Sequence, residues 1–242
     1  MAGSDIKITS SEGGDFDAYL AAPASGGGPG VVIVPAVLGV NEGIRKFADD
    51  LAANGCLVAA IDPFWRTDPG PAGPGDADPD RAAKRARPRI KLIEQGVADV
   101  ADALADLKSR PECNGRTAVV GFCYGGAYAV LGTTRLGCDA GISYHGTKVE
   151  TYFDELELDS GGAIVSLHWG DLDHAAPPHC QEGARQLDAK MPNLDVIIYP
   201  GVKHGYMMSS AAAYDQPSYD TSWARTLEIL TGLRDQPQRG AA

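Results

Sequence analysis

The chain is poor in the features that would place it in a membrane, on nucleic acid or in a disulfide-knit scaffold. No apolar run in its 242 residues approaches the roughly 20 needed to cross a bilayer. Positive charge is in deficit, with 21 Lys and Arg against 32 Asp and Glu. The resulting net charge of −11 argues against a nucleic-acid partner and against docking on an anionic membrane. The opening MAGSDIKITS has no basic region followed by an apolar core, so no signal peptide is read there. The five cysteines, Cys56, Cys113, Cys123, Cys138 and Cys180, are odd in number and show no C-x-x-C spacing. They read as reduced thiols of a cytoplasmic protein. No histidine pair has the tight spacing of a zinc helix, and His174, His179 and Asp171 make only a loose cluster. Neither a metal nor a cofactor is expected. Without an internal repeat, the length suits one large α/β domain spanning 1–242.

What is present centres on RTAVVGFCYGG at positions 116–126. Residues 117–122 are a short apolar run of the kind that makes a buried strand. Cys123 follows at once, between Gly121 and the pair Gly125 and Gly126, and AYAVL then starts a helix. A nucleophile in G-x-C-x-G sits on a sharp strand-to-helix turn, where small neighbours let the backbones pass. The helix N-terminus favours thiolate over thiol, and the Tyr124 amide points to where an oxyanion would develop. A packing cysteine would not need glycines on both sides.

Around this elbow, strands alternate with helices. Residues 5–10 and 16–22 read as an N-terminal antiparallel edge hairpin turning at 12–14. Buried strands are expected at 31–34, 56–61, 140–144, 163–169 and 195–200, and helices at 42–53, 81–87, 89–108, 178–190 and 222–233. The Pro-, Gly- and Asp-rich stretch 62–80 is too long for a plain connector and reads as a surface flap near the site. Continuous apolar strands between helices mean a mostly parallel central sheet covered on both faces. Chemistry in such sheets collects at the C-terminal ends of the strands. There, PGVKHGY offers His204 as a base, and GDLDHAAP offers Asp171 and Asp173 as the orienting acid. The order nucleophile, acid, histidine is that of α/β hydrolases, and spacing alone leaves the two aspartates undecided.

These residues resemble the dienelactone hydrolase (carboxymethylenebutenolidase) family of the α/β-hydrolase fold. The anchors are G-F-C-Y-G-G at 121–126, L-G-V-N at 38–41, I-D-P at 61–63, G-D-L-D-H-A-A-P at 170–177 and H-G-Y at 204–206. The resemblance implies a hydrolase of small esters or lactones, with a thioester acyl-enzyme on Cys123; separately, a monomer or homodimer is expected. It makes His204 the base and selects Asp173, four residues before Pro177, as the acid. It gives the oxyanion to the amides of Tyr124 and Val37.

The pattern departs from the family's at the substrate. Ala36 stands where the lactone-opening enzymes carry a glutamate that contacts the resting cysteine, so Cys123 is expected to pair with His204 without ligand. Arg81 matches one of two arginines that hold the substrate carboxylate, Met208 replaces the other, and Arg85 replaces a pocket tyrosine. The anion site is therefore either rebuilt from Arg81 and Arg85 or gone. Alternatively, Arg81, Lys84, Arg85, Arg87, Arg89 and Lys91 form a solvated basic face opposite Asp76, Asp78 and Asp80. His145, at a position usually aromatic in the family, reads as pocket wall. Two other classes stand beside the hydrolase: a flavodoxin-like cysteine enzyme such as a glutamine amidotransferase, and a binding or sensor member of the hydrolase fold with little turnover.

Overall fold

The computed structural model describes residues 3–24, 26–71, 79–158, 161–209 and 211–236. It is an α/β fold whose eight strands make a mostly parallel sheet. Two compact units divide it, Met1–Thr117 with Gly232–Ala242, and Ala118–Thr231.

The first unit opens with the antiparallel hairpin of β1 (Ser4–Thr9) and β2 (Asp15–Ala21), paired from Ser4 with Leu20 to Thr9 with Asp15. β3 (Gly28–Val34) and β4 (Leu57–Ile61) are buried at every position and pair in parallel, as continuous apolar runs should. β2 lies antiparallel to β4 on the other side. α1 (Glu42–Ala53) begins where the Asn41 side chain accepts the Ile44 amide at 3.1 Å, and it buries Ile44, Phe47, Ala48 and Leu51. Ile44, Phe47 and Leu51 each contribute on the order of 2 kcal/mol by leaving water, and the smaller Ala48 less. α2 (Pro79–Ala86) and α3 (Arg89–Ser109) follow. The strand expected at 31–34 starts three residues earlier. Gly28 and Gly30 look like loop in the sequence, yet a Cβ at Gly28 would meet the Gly55 carbonyl oxygen at 1.9 Å. These glycines serve close approach, not a turn.

In the second unit, β5 (Cys113–Phe122, from Ala118 on), β6 (Ala140–Tyr144), β7 (Ile164–Gly170) and β8 (Leu194–Tyr199) pair in sequence order, all parallel. α4 (Gly126–Leu136), α5 (Phe153–Leu158) and α6 (Pro178–Asp188) connect them. The core gathers Val130, Val165, Leu167, Trp169, Ala184 and Leu187, all buried. α7 (Gln216–Asp235) starts six residues before the expected helix, because Pro217 is tolerated in a first turn that lacks internal N–H partners. The short α5 and the 3-10 turn before it escaped the periodicity reading. Among the described residues, no helix is long and apolar enough to cross a membrane.

Candidate active site

β5 delivers its last residue, Phe122, to a one-turn 3-10 helix, Cys123–Gly125, that runs into α4. Cys123 takes φ +49°, a left-handed conformation costly for a side chain and frequent at functional turns. The flanking glycines are required by contact. A Cβ on Gly121 would meet the Gly125 carbonyl oxygen at 2.1 Å, and one on Gly126 would meet the Gly146 Cα at 2.3 Å. The turn is tied down by the Thr147 amide, which donates to the Cys123 carbonyl at 2.9 Å. Tyr124 is buried against Tyr128, ring centroids 5.9 Å apart.

Cys123 is partly exposed, and its Sγ lies 3.1 Å from His204 Nε2. His204 Nδ1 lies 2.9 and 3.0 Å from the two carboxylate oxygens of Asp173, which is fully buried. The structure thus brings together the three side chains singled out from the sequence, and of the two aspartates it brings Asp173 to the ring. Asp171 accepts the Gly201 amide at 2.7 Å and so ties the β7 loop to the histidine loop. Burial disfavours a charged His204, but its hydrogen bonds to Asp173 and Cys123 outweigh that and raise its pKa to about 10. The arrangement can hold a thiolate–imidazolium pair, which is a nucleophile with its proton donor already beside it.

Two histidines flank the imidazole. His145 meets it edge-on at 4.8 Å and exposed His174 at 5.1 Å. His145 is buried with φ +40°, and both burial and the nearby His204 hold its pKa well below the ordinary value. Met208 is half-buried, its amide donating to the Gly205 carbonyl at 3.2 Å.

In the first unit, Ala36 and Val37 lie half-buried in the loop after β3. The Val37 carbonyl accepts from Arg85 Nη1 at 2.9 Å. Arg85 has a fully buried side chain whose Nε donates to Asp68 Oδ2 at 2.9 Å and whose Nη2 donates to the carbonyls of Asp68 and Gly70. Arg81 grips the same carboxylate with two nitrogens, at 2.8 and 3.0 Å. These bonds hold the Asp68 carboxyl far below the usual carboxylate range, Arg81 contributing most. Arg81 and Arg85 are therefore not a solvated face; Asp68 already engages both. Asp76, Asp78, residues 72–78 of the expected flap, and the side chains of Arg89 and Lys91 lie outside the described residues. Sequence reasoning missed Asp68, Thr147 and the buried hydroxyls behind His204, none of which carries a local spacing signal. Among the described residues there is no cluster able to hold a metal ion.

The dienelactone hydrolase family model matches residues 16–233. Carboxymethylenebutenolidase 1 of Cupriavidus pinatubonensis is 32% identical over 97% of this chain and 99% of its own length. A carboxymethylenebutenolidase of a Pseudomonas species is 28% identical over 95% of both chains. Among solved structures, a putative dienelactone hydrolase from Klebsiella pneumoniae superposes with a TM-score of 0.79 at 24% identity, covering 95% of this chain and 98% of its own.

Proposed function

Because the chain belongs to the dienelactone hydrolase family, we propose that it is a cysteine hydrolase of small esters or lactones. Membership also sets aside the flavodoxin-like alternative. The observation that carries the reading is the unbroken contact from Asp173 through the His204 ring to the Cys123 sulfur, 2.9 Å on one side and 3.1 Å on the other.

The thiol proton resides on His204 Nε2, and the thiolate attacks the carbonyl carbon. The Tyr124 amide, first in the turn after the nucleophile, receives the developing oxyanion; removing one such donor typically costs about a hundredfold or more. As the tetrahedral adduct collapses, the C–O bond to the alcohol breaks and the imidazolium gives its proton to the departing oxygen. His204, now neutral, takes a proton from water, whose oxygen attacks the thioester. The thiolate leaves, the acid product departs, and the ion pair is restored. Asp173 holds one tautomer throughout and favours the imidazolium.

A short-chain aryl ester assay tests this, with acid-quenched mass spectrometry to catch the acyl group on Cys123. Turnover in the wild type and its loss in Cys123→Ala and His204→Ala is the expected result. Turnover that survives Cys123→Ala overturns the mechanism, and a wild type inactive on all small esters and lactones favours a binding role.

A further inference from the structure

Behind His204 runs a chain of buried hydroxyls that takes no part in the steps above. Tyr206 lies two residues after His204 and is fully buried. Its ring meets His145 at 5.7 Å, and His145 in turn meets His204 at 4.8 Å. Tyr206 Oη lies 2.7 Å from Ser222 Oγ, which lies 2.8 Å from Tyr199 Oη. Tyr199 Oη is 2.9 Å from His168 Nδ1, and His168 Nε2 is 2.9 Å from Ser166 Oγ. Ser166 Oγ reaches Asp195 Oδ2 at 3.4 Å, and the same oxygen accepts Arg225 Nε at 2.6 Å.

The direction of every bond follows from the anionic end. A carboxylate paired with arginine can only accept, so Ser166 donates its single proton to Asp195. Ser166 must then accept from His168 Nε2–H. Complete burial keeps His168 neutral, with its pKa pushed down to about 3, so Nδ1 is a lone pair that accepts from Tyr199. Tyr199, its proton used, accepts from Ser222, and Ser222 accepts from Tyr206. Reversing any link sets two lone pairs or two protons against each other in a buried site, which is costly.

We propose that this one-way chain is the positioning device of the histidine loop: it pins Tyr206, and with it His204, where Nε2 meets the sulfur. The proposal rests on the Cys123–His204 reading above, and Tyr206 is a positioning residue that touches no reacting atom. The charged and titratable groups facing His204 are Asp173, Cys123, His145 and His174. None of them belongs to the chain, so its loss acts through placement alone.

Tyr206→Phe removes one oxygen and leaves the ring. Thiolate absorbance of Cys123 against pH, alkylation by iodoacetamide, and kcat and KM on an aryl ester are compared with the wild type. The thiolate midpoint is expected to rise by about one pH unit, since a tenfold weaker ion pair moves it that far. Alkylation at mildly acid pH slows about tenfold with it, and kcat falls while KM stays within about twofold. Ser222→Ala, which breaks the chain at the next link, gives the same shifts. A wild-type midpoint and kcat in Tyr206→Phe overturn the proposal, even if thermal stability drops, since that would mark a purely structural bond. The thiolate and alkylation readouts need no substrate. If the wild type turns over no ester, the hydrolase reading fails while the positioning proposal is still decided.

Discussion

Asp171 and Asp173 stand two residues apart and have different work, and that difference is testable at a single side chain. Asp173 straddles the His204 Nδ1, whereas Asp171 receives the Gly201 amide. A pKa raised to about 10 means the fold favours the protonated ring. The stabilisation it brings is complete below the ordinary histidine value of about 6.5 and is lost as pH rises through about 10. The alkaline limb of kcat/KM should therefore lie near pH 10 in the wild type. Asp173→Asn should move that limb towards the ordinary histidine range and lower kcat/KM by about a hundredfold or more. Asp171→Ala should cost about 1 kcal/mol of stability and leave the limb in place. Rate profiles against pH and thermal unfolding decide it; an unmoved limb in Asp173→Asn contradicts the assignment. The sequence could offer both aspartates but not choose between them from spacing. The choice depends on which side chain meets the ring after the β7 turn, and that is set by β8 and the loop beyond it.

At the scale of elements, the same glycine count hides opposite requirements. At Gly126 a Cβ would press on the Gly146 Cα at 2.3 Å and on Ser143 Oγ at 2.6 Å. Gly126→Ala should destabilise by about 1–3 kcal/mol, the usual cost of overpacking, and lower Tm by several degrees. At Gly232, exposed inside α7 with nothing within 4 Å of its Cβ, alanine should instead stabilise by about 0.5–1 kcal/mol. Equal Tm changes in the two variants would refute the contact argument. Elements were legible where one local pattern sufficed: apolar runs for β3, β4, β6 and β7, and an Asn cap with helical spacing for α1. They were not legible where distant partners decide. Gly28, Pro29 and Gly30 look like loop and are strand, and Pro217 looks like a boundary and lies in the first turn of α7. The candidate site divides in the same way. Cys123 and His204 announce themselves through flanking glycines, while Asp68, Tyr206 and Ser222 matter only through residues far along the chain.

The whole molecule carries a net charge of −11, and that field acts on substrates as well as on the fold. The cations that the family resemblance offers to an anionic substrate are already engaged. Arg85 is fully buried on Asp68 and backbone carbonyls, and Arg81 holds the same carboxylate with two nitrogens. A carboxylate offered to either arginine would have to displace Asp68, and any anion approaches the molecule through a repulsive potential. A neutral aryl ester should therefore outcompete its carboxylate-bearing counterpart by several-fold in kcat/KM at low salt. Screening weakens surface fields on a length of about 10 Å at 0.1 M salt, so the gap should narrow as salt rises, through faster reaction of the anionic ester. The neutral ester should show little salt dependence. Steady-state rates for the pair between low and high sodium chloride measure both effects. A kcat/KM for the anionic ester that begins higher and falls with salt would reverse the conclusion, since it would mean that local positive charge, not the net field, governs the anion's approach.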